Sequence, residues 1–398
     1  MGSFQGTTAL SLQLSQRLSA SEFPPIAEAL SWIAGRKSNR ELLNLCQAVP
    51  SYPPAPELQA EFARIAHLPG TGGYTEILGV KPLREAFAAH LGRAYAAEVS
   101  LDEVGITSGC NQAFAAAIMA LAEPGDNIIM PSPWYFNHSM WLSMLGIEIK
   151  SISAFTDLGN WPDVSAARKA ITPKTRAIIL CSPNNPTGAI YPPAVIEAFY
   201  ELAVEANIAL ILDETYNDFR PETAPAHNLL TRKDAREHLV QLFSFSKIYA
   251  LAGYRLGAMI AGPTLMHEAT KFLDTISICP PNISQQGVIF ALHELESWKA
   301  GKKAVMAERL AAIRAAFQNA SLKYELVSSG AYFAYVRHPF RGVPSKIVAK
   351  RLAQEHDLLC LPGEMFGPGQ EEYLRFAFAN VEKEKMTPLT ERLLECQL

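Results

Sequence analysis

The chain has 398 residues, 49% of them apolar and 19% charged, with a formal net charge of −4. That length can bury a large core and suits one large and one small domain. The acidic balance, with no lysine or arginine run, argues against nucleic acid as a partner, and no apolar stretch reaches membrane-spanning length. Six cysteines, at 46, 110, 181, 279, 360 and 396, form no Cys-x-x-Cys pair, and the nine histidines show no His-Glu-x-x-His spacing. Neither a metal site nor a disulfide framework is expected. Reduced thiols and the lack of a signal peptide suit the cytoplasm. The opening residues 1–6 carry glycine where a myristoyl signal needs serine or threonine.

In chain order, residues 1–45 read as an arm and a helix that belong with the small domain. Residues 46–281 alternate short apolar strands with helical patterns, the signature of a mostly parallel sheet covered by helices on both faces. Strands are expected at 104–107, 127–131, 147–151, 177–181, 208–212, 240–244 and 257–261. Helices are expected after Gly109 and near 193–206. After Pro280-Pro281 a long helix over 284–318 is expected, then short strands near 324–327, 331–336 and 373–378 with a helix at 345–355. This makes residues 282–398 a small α+β domain.

Four segments carry chemistry. Gly105-Ile106-Thr107-Ser108-Gly109-Cys110-Asn111 leads into an alanine-rich helix. Its turn therefore lies at a helix N-terminus, where backbone N–H groups and the dipole favour a phosphate. Ala177-Ile178-Ile179-Leu180-Cys181-Ser182-Pro183-Asn184-Asn185-Pro186 is an apolar strand followed by a stiff turn bearing two asparagines. The bond before Pro186 can be cis. Ile208-Ala209-Leu210-Ile211-Leu212-Asp213-Glu214-Thr215-Tyr216 reads as a buried strand that delivers Asp213 at its carboxyl end, where open α/β sheets place ligands. A buried carboxylate needs a cation, and a protonated pyridine nitrogen would be one. Ser244-Phe245-Ser246-Lys247, with Arg255 eight residues on, suits a lysine forming a Schiff base with a cofactor aldehyde while hydroxyls and a guanidinium hold its phosphate. Taken singly, each segment also suits a solvated loop, a turn or a helix cap.

In this order and at these separations, the segments resemble the fold-type I, pyridoxal 5′-phosphate-dependent aminotransferases of class I/II, the group with aspartate, aromatic and kynurenine aminotransferases. The resemblance runs from about Leu45 to Asn380. It implies that Lys247 bears the cofactor and moves the substrate proton, and that Asp213 pairs with the pyridine nitrogen. It implies that Tyr216 and Asn185 bond the ring oxygen. Arg255, Ser244 and, more weakly, Ser246 would hold the phosphate together with Gly109, Cys110 and Asn111. Tyr135, rather than Trp134, would stack on the ring, Thr215 would lie on its other face, and His138 would bond Asp213 from behind.

Gly72-Gly73-Tyr74 matches a segment whose tyrosine reaches the neighbouring subunit's phosphate, which implies a homodimer. Arg375, alone among apolar residues in Tyr373-Leu374-Arg375-Phe376-Ala377, matches the arginine that grips the substrate α-carboxylate. In Leu45-Cys46-Gln47-Ala48-Val49-Pro50-Ser51, Ala48 stands where the family usually has glycine and Ser51 where it has an acid, so the pocket should be narrower.

The expected activity is transfer of an amino group between an amino acid and a 2-oxo acid by a ping-pong cycle. A β-eliminating or ring-closing lyase on the same cofactor, and a non-catalytic sensor domain, are the competing readings. Tyr52, Tyr74, Tyr332 and Phe333 are candidate walls for a neutral or aromatic side chain. Arg36, Arg40 and Arg220 are candidates for a second carboxylate site.

Overall fold

The computed structural model describes Leu12 and residues 14–19, 21–221 and 224–397. The opening residues 1–6, read above for a lipidation signal, lie outside the described residues. All seven strands expected before residue 262 form one sheet. Its order across is Val104–Thr107, Gly257–Ile260, Leu239–Ser244, Ala209–Asp213, Thr175–Cys181, Asn127–Ser132 and Glu148–Ser153. Gly257–Ile260 runs antiparallel to both of its neighbours, and every other pairing is parallel. The sheet is therefore mostly parallel, with Ala209–Asp213 at its centre. All five residues of that strand are buried, which accounts for its unbroken apolar run.

Side chains alternate along a strand, and the two faces meet different helices. Leu210 and Leu212 join the core that also takes in Phe87, Phe199 and Val288. Ile211, Val240 and Leu242 join the core on the other side with Phe114, Ala117 and Leu273. By the same alternation Asp213 faces the Cys110–Leu121 helix, as Ile211 does.

A four-stranded sheet forms the second body, in the order Leu361–Pro362, Tyr373–Ala377, Phe333–Arg337 and Glu325–Gly330, all antiparallel. Leu361–Pro362 was not anticipated; two residues give too short a pattern to read. The N-terminal segment joins this body. Leu43–Asn44 pairs in parallel with Leu358–Leu359, and Trp32, Leu43 and Leu45 share its core with Phe333, Phe366 and Phe376.

The long helix expected over 284–318 is two helices, Asn282–Glu294 and Glu296–Ala316, broken at Leu295. The reason is which core each serves. Val288, Ala291 and Leu292 pack into the core of the large sheet, whereas Met306 and Ile313 pack into that of the small one. The break turns one apolar stripe towards two cores, and no proline or glycine marks it.

Cross-packing fixes how the two sheets meet. Gly188, at φ +72°, ends the turn that carries Asn185, and it lies against Gly330 at the end of the Glu325–Gly330 strand. A Cβ on either residue would collide with the backbone of the other. Gly330→Ala should therefore destabilise the protein by about 1–3 kcal/mol, the usual cost of overpacking. Urea unfolding of the purified variant measures this, and an unchanged midpoint would remove the contact's importance.

Candidate active site

The carboxyl ends of the central strands open onto a cavity of about 490 Å³. Asp213 closes its floor. The side chain is buried, and Cys181 and Leu242 are its strand neighbours. His138 Nε2 lies 3.3 Å from Asp213 Oδ2, and Thr215 N–H donates to Oδ1 at 3.0 Å. The Cys110 thiol donates to the same Oδ1 at 3.7 Å. Burial alone would push this carboxyl up, but His138 and the Thr215 donations hold it below the ordinary range. His138 is itself fixed by packing, its ring 4.1 Å from that of Phe114. The structure thus brings the predicted histidine to the predicted aspartate.

Lys247 sits just past the Leu239–Ser244 strand, in a turn rather than a helix or strand. Burial, followed by the charges of Arg375 and Arg255, pushes its amine down to about 8. Nζ donates to the Ala48 carbonyl at 2.7 Å and lies 5.7 Å from the centre of the Tyr216 ring. Ala48, singled out for its methyl, therefore contributes its carbonyl oxygen.

Arg375 is 1% exposed. Its Nη1 donates to Asn185 Oδ1 at 3.0 Å and its Nη2 to the Cys46 carbonyl, while Nε has no partner. The guanidinium lies 5.0 Å from the ring centres of both Phe333 and Phe366. No carboxylate among the described residues pairs with it. A buried, uncompensated cation held by two neutral oxygens is a site prepared for an anion.

At the far end, Gly109 has φ +89° and starts the Cys110–Leu121 helix. The Arg255 guanidinium lies where a Cβ on Gly109 would go, so glycine leaves room for it. Gln112 and Ala113 N–H turn back to the Gly109 carbonyl, which leaves the N–H groups of Cys110 and Asn111 at the helix end for a ligand. Ser244 and Ser246 line the same side, with Ser246 N–H donating to Ser244 Oγ at 3.2 Å.

Tyr135 also lines the cavity. Its hydroxyl accepts from Asn137 Nδ2 at 2.8 Å, and burial pushes its phenol up to about 12. Trp134 does not line the cavity; its backbone N–H donates to the Phe366 carbonyl. Pro133, Pro183 and Pro186 all follow cis peptide bonds.

Of the predicted residues, Ala48, Cys110, Asn111, Tyr135, Asn185, Asp213, Thr215, Tyr216, Ser244, Ser246, Lys247, Arg255 and Arg375 line this one cavity, and Gly109 and His138 adjoin it. Tyr74 does not; it is 79% exposed on this chain. The proposed side-chain walls were misplaced. Tyr332 and Phe333 are buried against Tyr216, and Tyr52 packs on Trp298. The real wall includes Pro24, Pro25, Ile26, Val49 and Phe136. The sequence carried no signal that the N-terminal segment reaches so far. Arg36 and Arg40 are engaged by Asp357, and Arg220 donates to the Ala224 carbonyl, all outside the cavity.

Comparison with known proteins agrees with this geometry. The family model "Aminotransferase class I and II" matches residues 40–393. An aspartate aminotransferase of Thermotoga maritima is 27% identical over 363 residues, spanning 90% of this chain and 92% of the relative. A valine–pyruvate aminotransferase of Mycobacterium tuberculosis is 32% identical over 67% of this chain and 69% of its own. The solved aspartate aminotransferase of Thermus thermophilus with maleate superposes with a TM-score of 0.89 at 25% identity, covering 97% of this chain and all of the other. The chain belongs to the class I and II aminotransferase family.

Proposed function

We propose that the protein is a pyridoxal 5′-phosphate-dependent aminotransferase that moves the α-amino group of a neutral or aromatic amino acid to a 2-oxo acid by a ping-pong cycle. One observation carries the reading. A lysine amine held near neutrality by burial and two arginines shares a cavity with a buried carboxylate and an uncompensated buried arginine. The residues present fit the cofactor. Lys247 would carry its aldehyde carbon, Asp213 would pair with its ring nitrogen, and Asn185 and Tyr216 would bond its ring oxygen. Tyr135 and Thr215 would flank the ring. Arg255, Ser244, Ser246 and the Cys110–Asn111 end of the helix would hold its phosphate. Bound there, the pyridoxal ring supplies an electron sink for the pair left at the substrate α-carbon.

The protein's own groups do the rest. Arg375 takes the substrate α-carboxylate in a bidentate grip, exchanging a backbone carbonyl for an anion. Lys247 Nζ is the amine placed to remove the substrate α-proton and to hold it for return. The negative Asp213 would keep the ring nitrogen protonated, and His138 and Thr215 help keep Asp213 negative. Pro24, Pro25, Ile26, Val49 and Phe136 restrict water around the reacting atoms. In the first half-reaction the donor would leave as a 2-oxo acid, with water supplying its carbonyl oxygen and the cofactor retaining the amino group. In the second, another 2-oxo acid would take up that group and lose its oxygen as water.

The donor preference rests on charge. The cations lining the cavity among the described residues are Lys247, Arg255 and Arg375, and each already has a role. A side-chain carboxylate would find neutral groups such as Gln47 and Asn137 but no further cation among the described lining residues. The exposed Tyr74 suits a homodimer in which each copy completes the other's phosphate site. Residues 46–281 read as a large cofactor-binding domain and residues 282–398, joined by residues 1–45, as a small one, except that the Asn282–Glu294 helix packs into the large sheet's core. Six free thiols suit a reducing cytoplasm.

A half-reaction screen tests the activity and the preference together. Loss of the protein-bound aldehyde absorbance is followed for each amino acid in turn, with assays for 2-oxo acid and ammonia. Neutral and aromatic donors should exceed aspartate by about 100-fold in kcat/KM, the order of cost of an unpaired buried charge. A preference for aspartate would overturn the charge argument, and ammonia in place of amino transfer would make the enzyme a lyase.

The Lys247 amine can be probed by itself. In cofactor-free protein, trinitrobenzenesulfonate labelling at Lys247 should rise with pH around a midpoint of about 8. Removing a neighbouring positive charge favours the protonated amine. Arg375→Met should therefore raise that midpoint, and no change would show that Arg375 does not act on the lysine.

A further inference from the structure

The turn that carries Lys247 is tied directly to the sheet that carries Arg375. Tyr332 is fully buried, and its hydroxyl donates to the backbone carbonyl of Lys247 at 3.0 Å. The other donor to that carbonyl, Ala250 N–H, is longer at 3.4 Å. Lys247 lies outside any helix or strand, so no regular ladder holds its carbonyl. Tyr332 itself has little freedom. Its ring lies 5.3 Å from that of Tyr216 and 4.7 Å from that of Phe219. It immediately precedes the Phe333–Arg337 strand, in which Phe333 pairs with Ala377 and Tyr335 with Arg375. One pair of hydrogen-bonded strands therefore presents the Arg375 guanidinium to the cavity and, at its end, a phenol to the lysine backbone.

We propose that Tyr332 is a positioning residue for Lys247, fixing the proton-carrying amine relative to the arginine that holds the substrate carboxylate. The inference rests on the aminotransferase reading for its consequence in turnover. A substrate anchored through its carboxylate presents its α-hydrogen at a distance set by Arg375, and the amine must be held at the matching distance to take it. With Tyr332→Phe the buried carbonyl loses its shorter partner, while the ring and its packing remain. Nothing that would touch the substrate carboxylate changes.

The test uses the full-length holoenzyme and the Tyr332→Phe variant. Single-turnover rates are measured with an amino acid and with its α-deuterated form. The rate should fall about tenfold, as expected for one lost hydrogen bond, while the apparent substrate Kd stays within about twofold of the parent. The deuterium effect should rise, because proton transfer then limits the rate more fully. A second readout needs no turnover. In cofactor-free protein the labelling midpoint of Lys247 should move upwards, since a loosened turn relieves the burial that lowers it.

An unchanged rate and isotope effect would overturn the proposal. So would a rate loss that only tracks lower cofactor occupancy or a lower melting temperature, with the isotope effect and labelling midpoint unmoved. If the parent protein fails to transaminate any donor, the aminotransferase reading fails, and the labelling midpoint alone decides the role of Tyr332. Should the phenylalanine variant not fold, 3-fluorotyrosine at position 332 keeps the ring and strengthens the donor. An unaltered single-turnover rate in that protein would also overturn the proposal.

Discussion

A negative charge buried at the end of the central strand is the constraint on which the rest of the site depends. Asp213 is out of water, and a carboxylate there persists only if its surroundings compensate for lost hydration. The compensation comes from three directions: His138 from a helix, Thr215 N–H from the strand's own continuation, and the Cys110 thiol from the start of another helix. None of these is a permanent cation in contact with the carboxylate, which leaves the charge available to a ligand on the cavity side. The sheet order makes this possible. Asp213 ends the middle strand of seven, so its flanking strands deliver Cys181 and Ser244 to the same rim.

Opposite this negative floor stand three cations, and their environments separate their tasks. Arg255 is exposed at the helix end, Lys247 is lowered towards neutrality, and Arg375 is sealed between aromatic rings with neutral oxygens as its partners. Burial first, and then the charges of Arg375 and Arg255, keep Lys247 from holding its proton firmly. The same charges that suit an anionic substrate and a phosphate therefore also prepare the nucleophile. This depends on holding two separate cores in register. The Gly188–Gly330 contact does that.

Six of the seven strands of the large sheet were readable because each is a short, mostly buried apolar run, whereas the edge strand Glu148–Ser153 is mostly exposed and alternates apolar with polar residues only in part. Asp213 and Arg375 were readable because each is a charged group where apolar neighbours make it costly, whereas Lys247, beside serines, was readable only together with the other segments. What escaped was what depends on tertiary packing. The break at Leu295 leaves no trace in local composition, since its cause is that two cores claim one helical stripe. Pro24, Pro25 and Ile26 reach the cavity through a segment far from it in sequence. Tyr332 and Phe333 look like pocket aromatics in sequence, and only the packing of both against Tyr216 shows that they belong to the core. That the Ala48 carbonyl oxygen accepts from Lys247 was not readable, because a side-chain comparison cannot show where a carbonyl faces.

The central claim is that the amine at position 247, above the carboxylate at 213, is the attachment point for a pyridoxal aldehyde. Borohydride reduction of the protein reconstituted with pyridoxal 5′-phosphate, followed by peptide mass mapping, tests it most directly. The account predicts one pyridoxyl adduct per chain, on the peptide containing Lys247 and on that residue. An adduct on another lysine, or no stoichiometric adduct, would contradict it.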